Sequence, residues 1–212
     1  MKSKHLLFLA VLIAAIALAT GLVAQEAAVP AGEKTSTLDN LQAAFNGESN
    51  AHARYVQFAI KADEEGCPKV ANLFRAAARA EEIHAKTHAG VITKLGGKPV
   101  ADVQAPEVKA TADNLQAALA GETYERDDMY PKFIAQARAE GNTKALRTFN
   151  FAKAAEADHA AFYKAAVDNP DDGKLPAPTF YVCPVCGRTV TKLEGDKCPV
   201  CFTPMDNFEE IS

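Results

Sequence analysis

The sequence predicts an all-α four-helix bundle followed by a small C-terminal domain stapled by four cysteines, and three observations predict it. Residues 37–168 are dominated by alanine, leucine and charged helix formers, with proline confined to breaks and to the stretch MYPKF (129–133). Within them DNLQAAFNGES (39–49) returns as DNLQAALAGET (113–123), so the region is two copies of one helical hairpin. Beyond them Cys183, Cys186, Cys198 and Cys201 form two CxxC pairs, a spacing that suits a metal better than a disulfide framework.

Taken in order, Lys2, Lys4 and His5 precede the apolar run LLFLAVLIAAIALATGLVA (6–24), and polar QEAAVPAGEKTS (25–36) follows. A charge followed by an apolar run is the pattern of a secretory signal, with Ala24 offering a small residue for cleavage. The run is also close to the roughly 20 residues that span a bilayer, so an uncleaved anchor is the other reading. Residues 1–24 are thus expected to be a signal peptide or N-terminal anchor and 25–36 a linker. The folded part is expected to be exported and periplasmic, with no membrane contact except through residues 6–24.

Ser36 or Thr37 can cap a first helix that ends near Gly66, and Pro68 suits the first turn of a second. That helix runs to about Leu95, where GGKP stops it, and a loop over 96–110 leads to a cap at Thr111. A third helix continues to Gly141, kinked at Pro131, and a fourth runs from about Thr143 to Val167. Together they make a bundle over 37–168. NPDDGKLPAP (169–178) is a linker, and 179–212 form the second domain. Past the first repeat block, Tyr55 matches Tyr130, Glu65-Gly66 matches Glu140-Gly141, and Phe74 matches Phe149, all 75 residues on rather than 74. One inserted residue between Glu122 and Tyr130 accounts for the change. The net charge of −4 and the lack of a basic, aromatic-laced cluster argue against nucleic acid. Cys67, in a GCP turn, reads as a small residue at a helix boundary.

The candidate chemistry sits in ARAEEIHAKTH (78–88) and its echo AKAAEADHAAF (152–162). Glu81 and His84, like Glu156 and His159, are three apart and share a helix face. Glu48 and Glu122 are repeat mates on the partner helices. Glu48 lies eighteen residues before the Gly66 turn and Glu81 fifteen after it, so at about 1.5 Å per residue they reach the same height. One Glu from each of two helices and Glu-x-x-His from each of the others is the ligand layout of carboxylate bundles that hold two metals. Buried carboxylates repel one another and bind protons, and two divalent cations remove that penalty. One ExxH alone is usually a solvated face; two in register, each with a matched Glu, are not. Glu125, where the first repeat has Ala51, adds a seventh potential ligand on one side only. His52 and His88 lie one turn from ligands, but their repeat mates are not histidines, and both read as surface groups or as supports behind the ligands.

FNGESNAHARY (45–55), FRAAARAEEIHA (74–85), GETYERDDMYP (121–131) and CPVCG…CPVC (183–201) resemble the rubrerythrin family, in order and across residues 37–212. The resemblance implies a ferritin-like di-iron bundle with a rubredoxin-like tail. It implies that Glu48, Glu81, His84, Glu122, Glu125, Glu156 and His159 hold the two irons. It further implies that one iron is held by Glu125 in the oxidised state and by His84 in the reduced state. Tyr55 and Tyr130 match family tyrosines that hydrogen-bond the carboxylates, and the subunits are expected to pair so that one tail lies near the other's bundle.

Four thiolates suit Zn²⁺ or a single iron, and about 34 residues cannot hold a core without such a staple. Spacing alone leans to a structural zinc ribbon; fusion to a di-iron bundle, which needs a way in for electrons, tips the reading to one iron on Cys183, Cys186, Cys198 and Cys201. Phe202 stands where the family has glycine, which Gly187 keeps in the first CxxC turn, and this bears on the N–H bonds that tune such an iron. The expected activity is peroxidase: hydrogen peroxide reduced to water, with an unidentified electron donor, a homodimeric protein, and Glu125, His84, Tyr55 and Tyr130 as the working residues. The alternative is a ferroxidase or iron-sequestering bundle with a zinc tail.

Overall fold

The computed structural model describes residues 35–212, which form one compact unit. The signal or anchor over 1–24 and all but the last two residues of the 25–36 linker lie outside the described residues. Five α-helices come first: α1 (Thr37–Glu64), α2 (Pro68–Lys94), α3 (Thr111–Tyr124), α4 (Tyr130–Ala139) and α5 (Thr143–Asp168). Ser36 caps α1 through a reciprocal box with Asp39. Asn142 caps α5 by accepting from the Ala145 N–H.

The hairpin turns are copies in structure as well as in sequence. Gly66 and Gly141 both take φ +68°, a left-handed conformation that glycine adopts without strain. The next residue of each turn, Cys67 or Asn142, closes it by donating to the Ala62 or Ala137 carbonyl at 2.8 Å. The preceding glutamates cap the opposite hairpin: Glu65 accepts from the Thr111 N–H at 2.8 Å, and Glu140 from the Thr37 N–H at 3.1 Å. Each repeat thereby satisfies the free donors at the start of the other.

The expected single third helix is two helices. Residues Glu125–Met129 form a π-helical turn between α3 and α4, in which the Tyr130 N–H reaches back to the Glu125 carbonyl. The inserted residue that changes the repeat offset from 74 to 75 is housed here, and Pro131, which has no N–H to give, follows directly. A π-bulge is how a helix absorbs one extra residue without losing its register downstream. Tyr130 therefore returns to the position its mate Tyr55 occupies.

Two apolar clusters fill the bundle. One stacks Tyr55, Phe58, Phe74 and Tyr163, with ring centroids 5.4–6.3 Å apart; the other gathers Tyr130, Phe133 and Phe149 with Leu41 and Ile92. After a 3-10 turn (Pro170–Lys174), the tail folds as an antiparallel sheet in the order β2-β1-β3, with β1 (Phe180–Val182), β2 (Thr189–Val190) and β3 (Glu209–Ile211). The tail docks on its own chain's bundle. Asn72 donates to the Pro178 and Ile211 carbonyls at 2.6 and 3.1 Å, Arg79 grips Glu209 with two N–H bonds, and Phe162 meets Phe180 edge-on at 5.4 Å. Within one chain, the ten-residue linker is long enough to fold the tail back onto the bundle. Among the described residues no helix is long and apolar enough to cross a membrane.

Candidate metal centres

Six of the seven expected ligands converge where α1, α2, α3 and α5 face one another. Glu48, Glu81, His84 and Glu156 present ligand atoms all within 4.8 Å of one another, and so do Glu81, Glu122, Glu156 and His159. The two groups exchange under the repeat, and Glu81 and Glu156 belong to both. All six are buried. Tyr55 donates to Glu122 Oε1 at 2.6 Å, and Tyr130 donates to Glu48 Oε1, so each apolar cluster is tied to the site through one phenol.

The tail sets the histidine tautomers. His84 Nε2 lies 3.1 Å from the Cys186 carbonyl, which can only accept, so Nε2 carries the proton. Thr189 donates its hydroxyl to the Gly187 carbonyl and accepts from His159 Nε2 at 3.0 Å. In both neutral rings the Nδ1 lone pair then faces the carboxylates, at 2.9 Å from Glu81 for His84 and 3.2 Å from Glu156 for His159. Orienting a ligand ring from its far nitrogen is how protein metal sites are ordinarily built.

Inside this cage Glu48 Oε2, Glu81 Oε1, Glu122 Oε2, both Glu156 oxygens and His159 Nδ1 find no hydrogen-bond partner among the described residues. Buried oxygens rarely go unpaired, and here they form one cluster, which is the donor set two divalent ions require. Burial, then the charges on Glu125 and Glu81, pushes the Glu48 carboxyl well up. Burial and Glu81 push Glu122 up to about 8. Burial works against a charge on Glu81, yet His159 and His84 beside it outweigh burial and hold that carboxyl down. Burial likewise opposes the charged form of His84, but Glu156 and Glu81 lift it to about 10. The metal-free site therefore holds protons that ions must displace. Zn²⁺ affinity is expected to fall as pH is lowered through about 8, with protons released on binding. An affinity independent of pH from about 6 to 9 contradicts this reading of the cage.

Glu125 stands outside both groups. Half-buried in the π turn, it is near enough to Glu122 and Glu156 that burial and their charges raise its pKa well above the carboxylate range. His52 Nδ1 donates to the Ala78 carbonyl at 2.8 Å and takes no part. His88 is no surface group: it is fully buried, 3.1 Å from the Tyr130 hydroxyl and 3.1 Å from Thr148 Oγ1. Burial holds its pKa down to about 3, so it is neutral. Repeat comparison hides it, because its mate 75 residues on is Tyr163. Thr189 carried no signal in the sequence at all.

In the tail Cys183 and Cys201 sulfurs are 3.4 Å apart, and those of Cys186 and Cys198 3.7 Å. Both are far beyond the ~2.05 Å of a disulfide and close to the ~3.8 Å edge of a tetrahedron with ~2.3 Å metal–sulfur bonds. The Cys186 thiol, helped by the backbone N–H groups of Val185 and Cys186, draws Cys183 down to about 5. The two CxxC turns are built alike: the Gly187 N–H donates to the Cys183 carbonyl at 3.0 Å and the Phe202 N–H to the Cys198 carbonyl at 2.9 Å. Gly187 has φ +74° and Phe202 φ +65°, so Phe202 accepts a left-handed backbone that its side chain disfavours.

A helical bundle that brings two repeat-related ligand groups together on shared glutamates is a ferritin-like two-metal carboxylate protein, here with a rubredoxin-like tail. The Rubrerythrin family model matches residues 39–167. Nigerythrin of Nitratidesulfovibrio vulgaris is 44% identical over 177 residues, covering 82% of this chain and 85% of its own. Rubrerythrin-2 of Clostridium acetobutylicum is 36% identical over 182 residues, 82% of this chain and 95% of its own. The solved fully reduced, all-ferrous state of nigerythrin superposes with a TM-score of 0.77 at 40% identity, covering 89% of this chain and 91% of that one. The chain belongs to the rubrerythrin family. It is a di-iron redox protein of oxidative stress, with two irons in the carboxylate and histidine site and one iron or zinc on the four cysteines.

The same comparisons correct one expectation. The homologues give no sign of a signal peptide or a periplasmic location. The signal reading rested on sequence pattern alone: a few charges before an apolar run, and a small residue at Ala24.

Proposed function

We propose that this protein is a peroxidase that reduces hydrogen peroxide to water with electrons delivered through an iron on Cys183, Cys186, Cys198 and Cys201. The observation that carries the reading is the 3.1 Å contact between His84 Nε2 and the Cys186 carbonyl. It joins a residue that holds the tail's metal directly to a residue that faces the pair. An iron-sequestering protein needs no such connection.

Glu48, Glu81, His84, Glu122, Glu156 and His159 would hold two ferrous ions, which would supply the two electrons that reduction of the O–O bond requires. Glu81 and Glu156, shared by both groups, hold the two positions together. Tyr55 and Tyr130 fix the outer carboxylates, and the dry, buried cage strengthens every charge interaction inside it. His84 stands with the carboxylates here while Glu125 does not, the arrangement the family resemblance assigns to the reduced state. Glu125, on the π turn beside the site, serves the oxidised state. An external redox partner must refill the tail, and the homodimer belongs to the same proposal, although the tail reaches the site without one. Rapid mixing of the fully reduced protein with peroxide or with dioxygen tests the reading. Oxidation should be much faster with peroxide, and equal rates overturn it.

A further inference from the structure

The six converging ligands of the paired site are buried, yet reduction of peroxide consumes two protons along with two electrons as its O–O bond breaks and two waters leave. One hydrogen-bonded file crosses the dry shell. From Glu48 it runs to the Tyr130 hydroxyl, then 3.1 Å to His88 Nε2, through the ring, and from Nδ1 3.1 Å to Thr148 Oγ1. Thr148 is 2.8 Å from Thr87 Oγ1, and both threonines line an open groove of about 470 Å³ whose rim carries Lys86, Lys94, Lys144 and Arg147.

We infer that Tyr130, His88, Thr148 and Thr87 form a proton relay from this groove to the Glu48 edge of the site, an inference that rests on the peroxidase reading. Each member can both donate and accept, so the file has two self-consistent polarities. In one, Thr87 turns its hydroxyl from the His84 carbonyl, 2.9 Å away, to donate to Thr148, Thr148 donates to His88 Nδ1, His88 Nε2–H to Tyr130, and Tyr130 to Glu48. In the other every bond is reversed. Passage of one proton from groove water to the Glu48 edge converts the first into the second, and no member changes its charge. His88 gives up the proton on Nε2 as it gains one on Nδ1.

The repeat supplies an internal control. On the other side Glu122 is held by Tyr55, the mate of Tyr130, but the mates of His88, Thr148 and Thr87 are Tyr163, Leu73 and Phe162. There the file ends among aromatic rings, and the Tyr163 hydroxyl has no partner. A polar file that only packed the core would have no reason to be built on one side and to open on a groove.

Thr148→Val cuts the file at nearly constant shape, and Thr148→Ser restores the hydroxyl. In zinc-loaded protein carrying ¹⁵N-histidine, exchange of the His88 ring proton with water should slow by about tenfold or more in the valine variant and recover in the serine variant. In fully reduced iron-loaded protein the valine variant should oxidise with peroxide about tenfold or more slowly at unchanged metal content, a modest share of the ~10²–10⁴-fold a placed proton donor contributes. Unchanged ring exchange in the valine variant overturns the relay. Slowed exchange with an unchanged peroxide rate overturns its part in the reaction. Slowed exchange in a protein whose wild type prefers dioxygen supports the relay and overturns the peroxidase reading instead.

Discussion

Glu81→Ala should empty the paired site, leaving one metal per chain where the wild type holds three. Glu81 is one of two residues common to both ligand groups, so its loss takes a ligand from each position at once. It is also the carboxylate that both histidines hold in its charged form, at 2.9 Å from His84 and 3.5 Å from His159. Without it, each position loses a carboxylate oxygen and the negative charge that draws an incoming ion. Peroxide-driven oxidation should fall by about a hundredfold or more, since bound metal contributes several kcal/mol and each ~1.4 kcal/mol is a factor of ten. Glu48→Ala, which touches only one group, is the comparison: it should cost one ion. Metal analysis of both variants, with the tail's visible spectrum as a check on folding, decides the matter. Two ions retained in Glu81→Ala would show that the site is not built on shared carboxylates.

Gly187→Ala should undock the tail and disconnect it from the pair. A Cβ at this position would lie 2.2 Å from His84 Nε2 and 2.9 Å from Cδ2, inside any allowed contact. The backbone there has φ +74°, which alone costs a side chain about 1–2 kcal/mol. His84 cannot retreat, because its Nδ1 faces Glu81 and Glu156 at 2.9 and 3.3 Å. The ring and the CxxC turn must therefore separate, and the His84–Cys186 bond goes with them. Reduction of the pair through the tail should slow by about tenfold or more, equivalent to at least ~1.4 kcal/mol of barrier, while the four-cysteine spectrum persists. Equal rates in the variant would mean that electrons do not pass by this contact. Phe202 shows why the two turns differ. Its backbone is equally left-handed, but the residue is 73% exposed and meets no ring, so a side chain there costs strain without collision.

Much of this was legible in the chain itself. The ligand set could be read because a helix converts spacing into direction: three residues apart means one face, and equal distances from a turn mean equal height. The repeat then supplied its own test, since Glu48 with Glu122, Glu81 with Glu156 and His84 with His159 each confirmed the other. The inserted residue was visible as a change of offset. That it becomes a π turn at Glu125–Met129, rather than a kink at Pro131, was not, because an offset counts residues and carries no hydrogen-bond pattern. Repeat logic also misled. It set His88 aside for having Tyr163 as its mate, when the difference between the halves was the informative part.

Alone, the sequence determined the helices, their pairing into two hairpins, and which carboxylates, imidazoles and thiols could share a metal, because these follow from local periodicity and short spacings. Only the tertiary structure decided that the tail folds onto its own bundle, that Cys186 and Thr189 set the proton positions on His84 and His159, and that His88 links Tyr130 to a solvent groove. Those contacts join residues 30 to 139 positions apart, where no periodicity reaches and only packing chooses the partner.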